Sequence, residues 1–111
     1  MGQPLYPSSC VDIARKRKKL APEPSTAFKA FSKAVFSGGA LPATSRQSIA
    51  VAVAHVTQSP FCMHEHAEAA LKSGAAEQEI MEAIRVAAEM RAGTAYAHSA
   101  LAIDTMTHSG E

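Results

Sequence analysis

Residues 49–54 read Ile-Ala-Val-Ala-Val-Ala, and the fold class depends on how this apolar stretch is interpreted. The alternation of Val with Ala is compatible with a strand, whereas a segment that is apolar all round also fits a buried helix. Thr44 or Ser45 can cap a helix ahead of the stretch, and no turn signal follows it before Pro60. The caps and the length therefore favour a fully buried helix.

Helices are also predicted on both sides of this segment, and no β-hairpin signal appears in the sequence. Their expected bounds are Cys10 to about Leu20, Ser25 to Gly38-Gly39 after a break at Pro22 and Pro24, Pro60 to Lys72 with a stop at Gly74, Glu77 to Arg91 with a stop at Gly93, and Thr94 to about Met106. The sequence thus predicts an all-α fold, a compact bundle of about six helices. A single domain is expected over residues 1–111, with residues 1–20 as an N-terminal arm and a basic helix.

The supply of large core side chains is small for a chain of 111 residues. Much of the hydrophobic content is alanine, and the aromatic residues amount to four Phe and two Tyr. A chain of this size buries only roughly two-thirds of its unfolded surface. We therefore expect closely packed alanine-faced helices, with further apolar surface buried between subunits of an oligomer.

The basic residues are unevenly distributed, although the formal net charge is only +1. Residues 15–19 read Arg-Lys-Arg-Lys-Lys, and the rest of the chain carries six bases against ten acids. Such a run is commonly a solvated helix face, but phosphate contact and docking on an acidic subunit surface stay open. No aromatic residue interrupts the run, which disfavours nucleic acid as a partner.

Cysteine usage and hydropathy indicate a reducing compartment. Two cysteines, Cys10 and Cys62, are too few for a disulfide framework. The N-terminal residues include no apolar signal-peptide core, and no apolar run approaches the ~20 residues of a membrane span. The sequence predicts a cytoplasmic protein with free thiols and no membrane partner.

The candidate site lies at the predicted start of the fourth helix. Ser59 is a good N-cap, and Pro60 suits the first helical position, where no N–H is needed. Cys62 then falls in the first turn, where unpaired N–H groups and the helix dipole favour a thiolate. His66 follows four residues later on the same face. This pattern indicates thiol chemistry, although a free cysteine is also a common buried apolar residue.

Other polar residues near the site fit a metal centre poorly. His64 lies two residues from Cys62, which puts it on a different helix face. His55 has no helical spacing to either, so Cys62 and His66 form the one local pair, and zinc would need two further ligands. We therefore expect neither a metal nor another cofactor.

Three segments carry a resemblance to a known family. Leu41-Pro42 followed by RQSIAVAVA at residues 46–54 resembles that family's "LP…KELIALAVA" helix. Residues 59–62 (SPFC), His66 and AALKSGA at residues 69–75 resemble "CPYC…H…AALKAGA". Glu79-Ile80 and MRAGTAYAH at residues 90–98 resemble the closing "EI…MRGGxAYxH". Over roughly residues 20–107 the chain is similar to the alkylhydroperoxidase D (AhpD)-like branch of the carboxymuconolactone decarboxylase superfamily.

The resemblance implies an all-helical protein that assembles into homotrimers or homohexamers. In the family's peroxidases a Cys-x-x-Cys pair reduces hydroperoxides while a glutamate and a histidine relay protons. Position by position, Cys62 matches the peroxide-attacking cysteine and His66 the relay histidine. Ser59 stands in place of the resolving cysteine and Gln47 in place of the relay glutamate. His98 matches a further family position and is a candidate for the same pocket.

Both departures change the expected chemistry. Serine cannot form a disulfide, so an oxidised Cys62 would need an external thiol reductant. Gln47 can hydrogen-bond but cannot take up a proton. The first hypothesis is thus an antioxidant oxidoreductase, a one-cysteine peroxidase resembling AhpD. Two alternatives stay open: an oligomeric binding or scaffold protein whose redox site has lapsed, and a decarboxylase-like enzyme acting on a small cyclic acid.

Overall fold

The computed structural model describes residues 10–110, and these residues are almost entirely helical, which confirms the all-α prediction. Six helices follow one another in the chain: α1 Cys10–Leu20, α2 Pro22–Phe36, α3 Ala43–Thr57, α4 Pro60–Lys72, α5 Glu77–Ala97 and α6 Ser99–His108. The expected N-terminal arm at residues 1–9 lies outside the described residues. Within the described part, no helix is long and apolar enough to cross a membrane.

The described residues divide into two compact units, residues 10–37 and residues 38–110. The first unit contains α1 packed against α2, and the second contains α3 to α6. In the second unit, α3 packs against both α4 and α5. The assignment of the whole chain to one domain stays a prediction.

The prediction that Pro22 and Pro24 break the chain before the second helix is wrong. The second helix begins at Pro22 and not at Ser25, so Pro22 and Pro24 both lie in its first turn. The first N–H groups of a helix have no intrahelical acceptor, and proline at these positions costs no hydrogen bond. The two helices are consequently separated by Ala21 alone.

The core of the second unit is small and built around α3. Val51 is fully buried there, with Ala70 of α4, Ala75 of the following loop and Ile80 of α5 beside it. Ala67 and Ile84 pack against this cluster from the same two helices. The alanines allow close approach of the helices, as the composition predicts.

Two features of α3 differ from the prediction. The helix begins at Ala43 with Pro42 as its N-cap residue, so Thr44 and Ser45 lie inside the first turn and do not cap it. The helix is also not fully buried, because α4 and α5 cover only part of its circumference. Val53 is 52% exposed, and Ile49 is exposed to a similar extent.

The C-terminal helices also differ from the expected bounds. The fifth helix continues through Gly93 to Ala97, and α6 starts at Ser99. Glycine inside a helix costs only about 1 kcal/mol relative to alanine, which packing elsewhere offsets. By contrast, Gly74 has a φ of 100° and does end α4 as predicted.

Replacing the buried valine of α3 tests this core. We expect Val51→Ala to lower the free energy of unfolding by about 2 kcal/mol, because it removes two buried methyl groups and leaves a cavity. Urea denaturation followed by circular dichroism measures this change. Val53→Ala is the matched control on the same helix; at a protein concentration low enough for the chain to be monomeric it should cost less than about 1 kcal/mol, since half of that side chain is exposed in the single chain. A larger loss at position 53 than at position 51 would contradict this core.

Candidate functional site

The candidate site is organised by the connection between α3 and α4. Only Gln58 and Ser59 separate the two helices, so α4 folds back along α3 as in a helical hairpin. Gln58 adopts the left-handed conformation with a φ of 56°, and the Ser59 N–H donates to the Ala54 carbonyl at 3.0 Å. This turn fixes where α4 begins, and hence where its first-turn side chains lie.

Cys62 lies in the first turn of α4, as the sequence predicts. The Ser59 Oγ accepts a hydrogen bond from the Cys62 backbone N–H at 3.4 Å, and Pro60 occupies the first helical position. Ser59 is therefore the N-cap of the helix. The Cys62 thiol is free and half-buried, so it combines a favourable helix terminus with access from solvent.

A hydrogen bond between α3 and α4 brings Gln47 and His66 together. His66 Nδ1 and Gln47 Oε1 are 2.8 Å apart, and both side chains are half-buried. The amide oxygen can only accept, so Nδ1 carries the proton in this pair. In the neutral tautomer that makes this hydrogen bond, the other ring nitrogen, Nε2, is the one without a proton.

His66 follows Cys62 by one helical turn and so shares its face of α4. Gln47 thus holds the His66 imidazole by a hydrogen bond, and Cys62 lies one turn before that imidazole on the same helix face. Such an arrangement can hold and transfer one proton next to a nucleophilic sulfur. It contains no carboxylate, and the amide itself cannot take up a proton.

The other histidines considered from the sequence lie elsewhere. His64 is on the exposed side of α4, and its Nε2 lies 3.7 Å from Glu68 Oε2. The Lys72 ammonium hydrogen-bonds Glu68 at 2.9 Å and attracts its charge, so the pKa of the Glu68 carboxyl lies below its ordinary value. His55 Nδ1 donates to the Val51 carbonyl of its own helix at 2.7 Å, which is a structural role. No group of three metal-ligating side chains occurs among residues 10–110.

His98 does not join the site that the resemblance suggested for it. It lines an open cleft of about 530 Å³ with Val56, Met90, Arg91, Thr94 and Ala95, and none of the three site residues borders that cleft. The sequence reasoning missed one supporting residue nearby. Arg91 of α5 donates from Nη1 to the Val56 carbonyl in the last turn of α3, just ahead of the turn that leads to Cys62. An arginine 35 positions away carries no local signal for such a contact.

Known proteins share this architecture. A crystal structure of a protein from Methanobacterium thermoautotrophicum, determined by the Northeast Structural Genomics Consortium, superposes with a TM-score of 0.70. It is 40% identical and matches 77% of this chain and 94% of its own. The "Uncharacterized protein 4 in cox locus" of Paracoccus denitrificans is 60% identical over 73 residues, which is 66% of each protein's length.

A sequence profile of the Carboxymuconolactone decarboxylase family matches residues 22–105, which include α2 to α5 and most of α6. This range contains Gln47, Ser59, Cys62 and His66, and it covers well over half of the chain. The chain therefore belongs to the carboxymuconolactone decarboxylase family.

Proposed function

We propose that this protein is a thiol-dependent oxidoreductase that reduces hydroperoxides with a single cysteine, Cys62. The observation that carries the proposal is the 2.8 Å hydrogen bond from His66 to Gln47, which orients the imidazole one turn from a helix-start thiol. The resemblance to AhpD-like peroxidases supports the same assignment. A reducing, cytoplasmic setting would supply the thiol that such a reaction consumes.

The reaction transfers two electrons from Cys62 to the peroxide. His66 Nε2 takes the thiol proton, and the thiolate sulfur attacks the terminal peroxide oxygen, so that an S–O bond forms as the O–O bond breaks. The departing alkoxide receives a proton from His66, which gives an alcohol and a sulfenic acid on Cys62. The imidazole returns to its neutral form in the same step.

Regeneration requires two equivalents of an external thiol. The first attacks the sulfenic sulfur, expels water and forms a mixed disulfide with Cys62. The second attacks that disulfide and releases Cys62 as a thiol. Ser59 cannot replace either equivalent, because a hydroxyl forms no disulfide and its oxygen already caps α4.

Two specific observations keep other functions under test. Gln47 and Ser59 stand where the family's peroxidases have a relay glutamate and a resolving cysteine, which is the expectation for a binding or scaffold protein whose redox site has lapsed. The family's name also includes a decarboxylase, which leaves a small cyclic acid as a substrate class. A thermal stability gain with small cyclic carboxylates would favour that alternative.

We also propose that the protein acts as a homotrimer or homohexamer. Large apolar side chains are exposed on three helices of the second unit: Ile49, Val53, Val56, Met81, Val86, Met90, Leu101, Ile103 and Met106. Apolar exposure on this scale is unusual for a soluble monomer and typical of subunit interfaces. A second copy of this chain is the partner that would bury it without a further component.

Peroxide turnover tests the role of Cys62. With an excess of a small thiol, the protein should consume cumene hydroperoxide, and Cys62→Ser should reduce the rate at least about a hundredfold, because the nucleophile is lost. Peroxide loss is measured colorimetrically in a Cys10→Ser background, so that one thiol remains. Ser59→Ala is the control, since it removes the cap but keeps the nucleophile. Equal turnover by the Cys62→Ser variant would contradict the proposal.

The tautomer of His66 tests the hydrogen bond to Gln47. In the wild-type protein the long-range ¹H–¹⁵N spectrum of His66 should show a protonated Nδ1 in the neutral form. Gln47→Glu places an anion at the same acceptor position, so the imidazolium of His66 should persist to higher pH. Gln47→Ala removes the acceptor and should give a mixture of tautomers. A neutral imidazole protonated at Nε2 in the wild type would refute the arrangement, whatever the activity.

The mass of the protein in solution tests the proposed assembly. Light scattering behind size-exclusion chromatography should give three or six times the chain mass of 11.7 kDa. Val53→Asp should lower that mass, because it places a charge on the exposed apolar face of α3. Lys72→Asp is the comparison variant on an exposed polar position. A wild-type protein that elutes as a monomer at micromolar concentration would exclude the proposed assembly.

A further inference from the structure

The first structural unit carries most of the chain's positive charge. Residues 10–37 hold seven of the eleven lysines and arginines and only two acids, Asp12 and Glu23. The described residues of the second unit hold four bases and seven acids. The first unit is therefore strongly positive, although the formal net charge of the whole chain is only +1.

Four of these cations line one groove between α1 and α2. On α1 the lining positions are Ala14, Arg17 and Lys18, which are spaced i, i+3 and i+4 and so share one face, and Ala21 follows between the two helices. The α2 wall places Lys29 and Lys33 one turn apart, with Phe28 and three hydroxyl residues beside them, Ser25, Thr26 and Ser32. The alanines leave space between the walls, and the groove has a volume of about 940 Å³.

The charges in this groove are not compensated within the described residues. No carboxylate borders the groove, and Arg17, Lys18, Lys29 and Lys33 make no ion pair among residues 10–110. Lysines one turn apart on a helix repel each other, and two more cations face them from α1. A groove lined by one sign of charge attracts a counter-ion of the opposite sign. A bound anion would relieve this repulsion.

We propose that the groove between α1 and α2 binds a ligand that carries two or more phosphate groups. A terminal phosphate group carries a charge of about −1.5 to −2 at neutral pH, so two such groups offset most of the charge of the four cations. The three hydroxyls add hydrogen-bond donors that suit phosphate oxygens. The Phe28 ring is 71% exposed at the same groove and offers an apolar contact for an organic part of the ligand.

This inference is independent of the peroxidase proposal. Every residue that lines the groove lies between positions 14 and 33, and none belongs to the Gln47, His66 and Cys62 arrangement. The experiment therefore measures binding and not turnover. A failure of one proposal leaves the other unaffected.

The test compares two double variants of α1 that remove the same amount of positive charge. Arg17→Gln/Lys18→Gln removes two groove cations, whereas Arg15→Gln/Lys19→Gln removes one Arg and one Lys that do not line the groove. Isothermal titration calorimetry of the full chain uses tripolyphosphate and ATP as probes in near-physiological salt. We expect the groove variant to bind at least about tenfold more weakly than wild type. The matched control should stay within about threefold of wild type.

A second arm distinguishes a soluble ligand from a lipid headgroup. Vesicles of phosphatidylcholine with and without cardiolipin, a lipid whose headgroup carries two phosphates, are sedimented with wild type and with both variants. Binding to the soluble probes that only the groove variant loses supports a soluble phosphate ligand, and the same pattern confined to cardiolipin vesicles supports a headgroup. Equal losses in both variants would show a response to net charge alone and overturn the proposal. An absence of binding in both arms would overturn it as well.

Discussion

The two-residue connection between α3 and α4 is the constraint on which the site depends. Because Gln58 turns the chain in the left-handed conformation, α4 begins only two residues after α3 ends. That turn sets the register of the two helices, and the register brings Gln47 within hydrogen-bond distance of His66. A non-glycine residue in this conformation is under mild strain, and the backbone hydrogen bonds that the Gln58 and Ser59 N–H groups donate to the Ala54 carbonyl close the turn around it.

The same connection gives the cysteine its environment. Ser59 occupies the cap position and Pro60 the first helical position, so the chain enters α4 in one defined way. The Cys62 thiol is consequently placed at the end of the helix where backbone N–H groups are unpaired. The basic groove of the first unit arises from different physics, the small side chains of Ala14 and Ala21 between charged neighbours. The chain thus combines a partly buried thiol site with a solvated, strongly cationic surface.

How much the sequence predicts depends on how local each signal is. The bounds of α4 are predicted correctly, because Ser59, Pro60 and Gly74 act on their own neighbours. The predicted start of α2 and the predicted end of α5 are wrong, because both helices tolerate the residue that was expected to stop them, Pro22 in α2 and Gly93 in α5. Whether a helix tolerates such a residue depends on the surrounding structure. The exposure of Val53 also cannot be obtained from an apolar run, since burial depends on what packs against it. The contact between Gln47 and His66 spans 19 positions, and only the family resemblance indicated it.

The serine at position 59 has a consequence for kinetics. A site with a neighbouring resolving cysteine converts each sulfenic acid to a disulfide within the same molecule, at a rate independent of concentration. With an oxygen there instead, the lifetime of oxidised Cys62 would depend on the abundance of thiol, and a second peroxide would compete for the same sulfur. The ratio of thiol to peroxide would then decide between recovery and irreversible sulfinic acid. Such a protein would report the redox balance of its surroundings through the fraction of its molecules that remain reducible.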